Sequence, residues 1–170
     1  MLQFGSESNE TKTRFSEASA EGCSCLSGKP LMGAPVWLAC MIATAHAYHF
    51  PLPVLQGIHS VEGGKVGTVA LNKNGTADLG LMQVNTSWLP VLSYATGLSP
   101  SVLRSRLTND ACFSIAMAGS ILDLYRQETH GDVWKAVGFY HSHTTPLSLG
   151  YQAQVLTASI SDMLKQMKEE

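Results

Sequence analysis

Residues 58 to 89 read IHSVEGGKVGTVALNKNGTADLGLMQVNTSWL, and this stretch decides the fold because a helical pattern, a glycine-rich loop and a hairpin signal follow one another in it. Apolar residues recur at helical spacing before and inside it, at Val54, Leu55, Ile58 and Val61. The pair Gly63-Gly64 ends the pattern, as glycine does after a helix. Glu62 is therefore predicted to be the last residue of a buried helix, and Asp78 is the one acid in the loop that follows.

That loop contains the signal for a small hairpin. The segments TVAL and TADL flank the sequence NKNG, and Asn74-Gly75 suits a tight turn. These two segments are the strands that the sequence predicts.

The remainder of the chain carries helix signals. Polar capping residues or Ser-Pro and Gly-Asp pairs precede further apolar segments. We predict a short helix from Asn85-Thr86-Ser87 through Leu92, a helix from Ser99-Pro100 to about Leu107, a long helix capped by Asn109 and ending near Glu128, a helix VWKAVGFYHSH that begins at Gly131-Asp132, and a last helix from about Leu149 to Lys168. The predicted fold class is mostly α, with a small β-hairpin.

Composition and charge restrict the possible functions. The chain has 170 residues, 45% hydrophobic and 14% charged, which suits one globular domain with a core. A formal charge of -2 without any Lys/Arg block argues against a nucleic-acid partner. No apolar run reaches the roughly 18 to 20 residues that span a bilayer, so no transmembrane span is predicted. We divide the chain into a disordered leader or export region over residues 1 to 33 and one domain over residues 34 to 168.

The stretch LMGAPVWLACMIATAHAYHF, residues 31 to 50, has two interpretations. It is either a short secretory signal with a cleavage site after Ala47 or the first helix of the domain. Of the four cysteines, Cys23 and Cys25 are too close in sequence for an easy mutual bond, which leaves Cys40 and Cys112 as a possible pair. The alternative is two buried free thiols.

Three segments resemble the signature blocks of a known enzyme family. VEGG, NGTADLGLMQVN and AVGFYHS follow the order and spacing of the blocks of the lysozyme-like lytic transglycosylases, whose usual forms are glutamate-serine, GLMQI and AYNAG. The resemblance covers residues 36 to about 165 and points to the small accessory transglycosylases of type III and type IV secretion and conjugation systems. It implies an α+β lysozyme-like fold with the hairpin beside an active-site cleft.

The same resemblance bears on the N-terminal part and on localisation. Such relatives often carry a cysteine in the first helix and another before the long central helix, which favours a helix over a signal peptide for residues 34 to 48. It therefore implies a disulfide between Cys40 and Cys112. It also implies export to the periplasm or cell envelope, peptidoglycan glycan strands as the substrate, and components of a secretion or conjugation apparatus as partners. We expect a monomer.

The implied reaction is cleavage of the β-1,4 bond between N-acetylmuramic acid and N-acetylglucosamine. A carboxyl group kept neutral in apolar surroundings can protonate the leaving oxygen, and Glu62 suits this role. In the mechanism that the resemblance implies, the resulting carboxylate takes the proton of the muramoyl C6 hydroxyl, whose oxygen attacks C1 and closes a 1,6-anhydro ring. No cofactor or metal ion takes part, so a single acid is enough.

The resemblance further implies a set of substrate-binding residues: Gly80, Leu81, Met82, Gln83, Asn85, Tyr140, His141 and Tyr151. Gly80 would let the backbone approach the sugar, and Met82 would pack against it. Gln83 would hydrogen-bond to the sugar near Glu62. Tyr140, at the tyrosine of AYNAG, would hydrogen-bond to Glu62 or to the sugar. Taken alone, a methionine or a helical tyrosine is more often part of a core.

Three residues depart from the usual blocks. Gly63 stands at the serine after the glutamate, and His141 and His143 stand at the asparagine and final glycine of AYNAG. We interpret them as subfamily character, because HSVEGG and YHSHTTP resemble variants among plasmid-borne and secretion-linked members. The two histidines point in different directions on a helix, and no cysteine or acid cluster accompanies them, so no metal site is predicted.

Two alternatives to the transglycosylase remain. Asp78 could be the second carboxylate of a lysozyme-type hydrolase, although a turn or capping role is the preferred interpretation of this residue. The domain could also be a catalytically silent module that binds glycan or recruits components of the apparatus. The presence of Glu62, Gln83 and Tyr140 favours the enzyme.

Overall fold

The computed structural model describes residues 36 to 169, so the predicted leader over residues 1 to 33 lies outside the described residues. The elements in chain order are α1 (Val36–Ala47), α2 (Leu52–Glu62), β1 (Val69–Leu71), β2 (Ala77–Leu79), β3 (Val84–Asn85), a 3-10 helix (Thr86–Trp88), α3 (Leu89–Thr96), α4 (Pro100–Asn109), α5 (Ala111–Glu128), α6 (Val133–His141) and α7 (Thr145–Glu169). The predicted fold class, mostly helical with a small β element, is confirmed. Of the helices in this part of the chain, none has both the length and the apolar character that crossing a membrane requires.

Helix α5 forms the centre of the domain. Its residues 113 to 123 are all buried, because α1, α4 and α6 pack around it. A helix in this position has to carry apolar or small residues, and residues 113 to 122, FSIAMAGSIL, meet this requirement; the buried Asp123 that follows bonds to Arg126 and Gln127. The closest approach is at Gly119, where a Cβ atom would overlap the side chain of Thr44 on α1.

Helix α7 packs against α2 and α6 and so fixes the position of the predicted catalytic helix. The contact is close at Gly57 on α2, where a Cβ atom would overlap the hydroxyl oxygen of Ser159. That hydroxyl donates a hydrogen bond to the Pro53 carbonyl oxygen at 2.7 Å. Helix α2 is therefore held between α7 and the core, and its last residue is Glu62.

The sheet is antiparallel in the order β1-β2-β3, with β2 in the centre. Asp78 on β2 pairs with Ala70 on β1 and with Asn85 on β3. The predicted hairpin between β1 and β2 is confirmed, and Gly75 takes the positive φ of 82° that its turn requires. Strand β3 was not predicted, because a strand of two residues is too short to show an alternating pattern.

The cap of α5 differs from the prediction. Asn109 is the last residue of α4, whereas Asp110 caps α5 by accepting a hydrogen bond from the Phe113 backbone N–H at 3.0 Å. Both residue types are good caps, so local sequence did not distinguish them.

Two other helices are longer than predicted. Helix α3 continues past Leu92 until Gly97 ends it with a φ of 71°. Helix α7 begins at Thr145 instead of Leu149, since Pro146 fits the first turn of a helix, where its missing N–H costs no hydrogen bond.

A disulfide joins α1 to the start of α5. Cys40 and Cys112 form it with their Cα atoms 5.3 Å apart and 72 residues apart in sequence. Residues 36 to 47 form a helix, as the resemblance implied. Because the bond closes a long loop of chain, it restrains the unfolded state and contributes about 4 kcal/mol in the entropic model.

Candidate active site

Glu62 stands at the point where α2 ends. Gly63 takes a left-handed conformation with φ 62°, and its N–H donates to the carbonyl oxygen of His59 at 2.9 Å. This is the usual glycine termination of a helix, and it leaves the side chain of Glu62 half-buried at the edge of a cleft.

Two glycines bring the backbone of the next loop close to this helix end. A Cβ atom on Gly64 would overlap the carbonyl oxygens of Gly80 and Leu81. Gly80 has a φ of 65°, and a Cβ atom there would overlap the carbonyl oxygen of Leu107 on α4. The glycine is needed here because the loop packs tightly against α4, and the approach of a sugar to Gly80 stays a prediction.

The carboxyl group of Glu62 has a tyrosine partner. The hydroxyl of Tyr151, on the first half of α7, donates a hydrogen bond to Oε1 of Glu62 at 2.6 Å. Tyr151 is itself buried, and the ring of His141 stacks on it with centroids 4.9 Å apart and planes 4° apart. This contact joins residues 89 positions apart in sequence and holds the acid in one orientation.

The surroundings of Glu62 favour its neutral form. Burial raises the pKa of the Glu62 carboxyl above its ordinary value, the hydrogen bond from Tyr151 lowers it in part, and the negative charge of Asp78 raises it further. Burial and the charge of Glu62 also raise the pKa of Tyr151, so its hydroxyl keeps the proton it donates. An acid with a raised pKa is suited to giving a proton to a leaving group.

Asp78 is held by a network of amide and hydroxyl groups. Its Oδ1 accepts from the amide of Asn85 at 2.6 Å and its Oδ2 from the amide of Asn72 at 2.9 Å. The same two amides donate to the hydroxyl oxygen of Thr76. The interpretation of Asp78 as a turn or capping residue is wrong, because it lies on the central strand and faces the cleft with Glu62.

The cleft has a volume of about 420 Å³ and two chemically different groups of lining residues. One group of lining residues is polar and consists of Glu62, Asp78 and the amides of Asn72, Gln83 and Asn85. The other group consists of aromatic rings in contact with one another, from Trp88, Tyr125, Phe139 and His143. Amide groups together with aromatic faces suit a sugar, whose rings have polar edges and apolar faces.

Of the predicted substrate-binding residues, four line this cleft: Gln83, Asn85, Tyr140 and His141. Gln83 has a φ of 49°, and its side-chain amide donates to the carbonyl oxygen of Gly80 at 2.7 Å. Tyr151 contributes through its hydrogen bond to Glu62.

Met82 and Leu81 do not lie at the cleft. Met82 is fully buried and Leu81 is 5% exposed, so the expectation that Met82 packs against a sugar is wrong. The backbone of Met82 makes two hydrogen bonds to neighbouring helices. Its N–H donates to Ser114 Oγ at 3.2 Å, and its carbonyl oxygen accepts from the Tyr140 hydroxyl at 3.0 Å. Tyr140 therefore holds the loop in place, and the hydrogen bond to Glu62 comes from Tyr151 instead of Tyr140.

The cleft also contains residues that were not predicted, among them Asn72, Tyr125, Phe139 and His143. Asn72 was part of the turn sequence NKNG, and no local pattern separates a turn asparagine from one that bonds to a carboxylate. The aromatic residues come from separate parts of the sequence, so their proximity is visible only in the folded chain.

The two histidines of the third block have different partners. His141 stacks on Tyr151, whereas Nε2 of His143 lies 3.1 Å from a carboxylate oxygen of Glu128. Among residues 36 to 169, His, Cys, Asp and Glu side chains form no group of three that could hold a metal ion.

Comparison with known proteins places the chain among bacterial relatives, although no family model matches it. It is 31% identical over 111 residues to the invasion protein IagB of Salmonella typhimurium, a match that covers 65% of this chain and 66% of IagB, just under two thirds. It is also 31% identical over 108 residues to the protein IpgF of Shigella flexneri, covering 63% of this chain and 67% of IpgF. With this identity over two thirds of IpgF, the chain belongs to the family that includes IpgF and IagB.

Proposed function

We propose that this protein is a peptidoglycan lytic transglycosylase that cleaves the β-1,4 bond between N-acetylmuramic acid and N-acetylglucosamine. The observation that carries the proposal is the state of Glu62, a half-buried carboxyl group at a cleft, with a raised pKa and a hydrogen bond from Tyr151. If the last residue of this helix had only a structural role, an acid would be disfavoured there, because its negative charge opposes the helix dipole.

The reaction needs one proton to be given and one to be taken back. Glu62 protonates the glycosidic oxygen as the bond from C1 breaks, which leaves Glu62 as a carboxylate. The carboxylate then accepts the proton of the C6 hydroxyl while O6 bonds to C1, and the 1,6-anhydro ring closes. Water is not consumed, and Glu62 ends in its starting protonation state.

The substrate class follows from the two groups of residues that line the cleft. The amides of Asn72, Asn85 and Gln83 can bond to hydroxyl and acetamido groups, and the rings of Trp88 and Phe139 can pack on sugar faces. The volume of about 420 Å³ lies within the range of pockets that bind small organic ligands such as sugars.

The biological setting that we propose is the cell envelope, where the enzyme would open the wall for a secretion or conjugation apparatus. The disulfide between Cys40 and Cys112 is typical of an oxidising compartment such as the periplasm. One relative, IagB, is named an invasion protein, which fits a role at the bacterial surface.

A lysozyme-type hydrolase is the second candidate, and one observation favours it. Asp78 lines the same cleft as Glu62, and its charge contributes to the raised pKa of that residue. A carboxylate held by two amides in this position could stabilise a sugar cation or direct a water molecule. The two candidates differ in whether water enters the product.

The proposal is tested by the release of soluble fragments from peptidoglycan by the purified full chain. Glu62→Gln should lower the rate by at least about 100-fold, because an amide has the shape of the acid but cannot donate a proton. Asp162→Asn is the matched control, since it removes one negative charge from α7 outside the cleft and should leave the rate unchanged.

Thermal unfolding separates loss of chemistry from loss of fold. The pKa of Glu62 is raised in the folded state, so the native protein holds its proton more tightly than the unfolded chain and loses stability as the pH rises through that pKa. Glu62→Gln should therefore be at least as stable as the wild type at neutral pH. An unchanged rate in a folded Glu62→Gln protein, or no fragments from the wild type, would reject the proposal; the second result would leave a glycan-binding module.

A further inference from the structure

Helix α7 has two faces without charged residues, and the described domain covers one of them. The covered face packs on α2 and α6 and consists of Ser148, Tyr151, Val155 and Ser159. The other face is exposed and lies about 120° around the helix axis from the first. It consists of Leu149, Ala153, Leu156, Ile160, Met163 and Met167, which we name the α7 stripe.

The α7 stripe has the spacing of a coiled-coil seam. Its members are separated by 4, 3, 4, 3 and 4 residues over nearly three heptads. Its five large side chains are between 45% and 71% exposed, and no member is charged. A continuous apolar seam of this kind on a surface is typical of an interaction site, and its alternating spacing fits an α-helix as the partner.

We propose that the α7 stripe pairs with the α7 stripe of a second copy of this chain, with the two helices antiparallel. An antiparallel pair centred on position 158 brings all six positions into register. Leu156 faces Ile160 of the second copy, Ala153 faces Met163, and Leu149 faces Met167.

Side-chain size and charge favour the antiparallel arrangement over the parallel one. Antiparallel pairing sets the short Ala153 against the long Met163, whereas parallel pairing would set each against itself and leave a gap at one layer and crowding at another. Parallel pairing would also bring Lys165 and Lys168 of both copies to one end, with their helix dipoles aligned. A second copy of the chain is the proposed partner because the α7 stripe is complementary to itself in the antiparallel arrangement.

The size of the interface predicts a weak dimer. Pairing over residues 149 to 167 would bury on the order of 1,000 Å² in total, close to the lower limit for a specific interface, so we expect dissociation at roughly micromolar concentrations. The monomer expected from the sequence would then be the form present at low protein concentration. No member of the α7 stripe lines the catalytic cleft, so this inference does not depend on the proposed function.

Sedimentation velocity of the full chain over a range of concentrations measures the association. The wild type should shift from monomer to dimer, and Leu156→Glu with Met163→Glu should remain monomeric throughout, with a dissociation constant raised at least tenfold. Gln154→Glu with Ser161→Glu is the matched control, since it adds the same charge with the same spacing on the polar face and should dimerise like the wild type. The altered side chains are exposed, and circular dichroism verifies the fold.

Disulfide trapping tests the orientation in a chain that carries Cys23→Ser and Cys25→Ser. Ala153→Cys combined with Met163→Cys should give a covalent dimer under mild oxidation. Ala153→Cys alone should not, because antiparallel pairing separates the two copies of position 153 by about 15 Å along the axis, beyond the reach of a disulfide. Efficient trapping by Ala153→Cys alone would show parallel pairing. That result, or a wild type that stays monomeric at all concentrations, would overturn the proposal.

Discussion

Glu62 is subject to opposing influences on its proton. Burial and the charge of Asp78 raise its pKa, while the hydroxyl of Tyr151 stabilises the carboxylate and lowers it. A general acid that has to be recovered as a base within one turnover benefits from both. The raised pKa makes the acid available at higher pH than an exposed glutamate would be, and the tyrosine stabilises the charge that forms after the proton leaves.

Removing the hydrogen bond from Tyr151 and removing the charge of Asp78 should shift the pH dependence of kcat/KM in opposite directions. Activity should fall as the pH rises through the pKa of Glu62, because the ionised form cannot protonate the leaving oxygen. Tyr151→Phe removes the influence that lowers this pKa, so the falling limb should move to higher pH. Asp78→Asn removes an influence that raises it, so the limb should move to lower pH. Shifts in the same direction would contradict the assignment of Glu62 as the acid.

Substitutions at Gly64 and Gly150 form a matched pair that tests the close packing of the loop backbone beside the candidate active site. Gly64→Ala should destabilise the fold by about 1 to 3 kcal/mol, because its Cβ atom would overlap backbone oxygens that cannot move independently. Gly150→Ala, in an exposed part of α7 where a Cβ atom meets nothing, should stabilise it by about 0.5 to 1 kcal/mol. Denaturant unfolding measures both changes. Equal changes in the free energy of unfolding would show that the close contact of Gly64 with the backbone of the next loop does not cause the loss of stability.

At the scale of elements, the contribution of the disulfide to stability can be measured separately from the proposed cleavage reaction. Cys40→Ala with Cys112→Ala should lower the free energy of unfolding by about 2 to 5 kcal/mol, because the unfolded chain is no longer restrained. Cleavage at low temperature should persist, since neither cysteine lines the cleft. Reducing agent should destabilise the wild type to the same extent and leave the variant unaffected. Loss of cleavage at all temperatures would contradict this separation.

Elements with strong local signals were predictable from the sequence. The end of α2 at Gly63 and the hairpin around Asn74-Gly75 rest on the conformational preferences of one or two residues. The cap at Asp110 and strand β3 were missed because the local signal was ambiguous or too short. The first error concerns a boundary and the second a missing two-residue strand, and both leave the order of the predicted helices unchanged.

At the scale of the whole molecule, the cleft combines α2, the sheet, the 3-10 helix, α5 and α6, and α7 contributes through the hydrogen bond from Tyr151 to Glu62. The position of Glu62 was predictable, because the helix end and the family block coincide there. The hydrogen bond from Tyr151 was not, since it depends on how α7 packs on α2 across 89 residues of sequence. Met82 was misassigned for the same reason: the block suggested a sugar contact, but only the packed structure shows that its side chain belongs to the core.

Digestion of peptidoglycan in water enriched in heavy oxygen tests most directly the proposal that one carboxylate cleaves the glycan without water. Mass spectrometry of the products from the wild type and from Asp78→Asn should show 1,6-anhydromuramoyl ends that are lighter by one water than reducing ends and carry no heavy oxygen. Reducing ends labelled with heavy oxygen, together with a folded but inactive Asp78→Asn protein, would contradict the account and identify a two-carboxylate hydrolase.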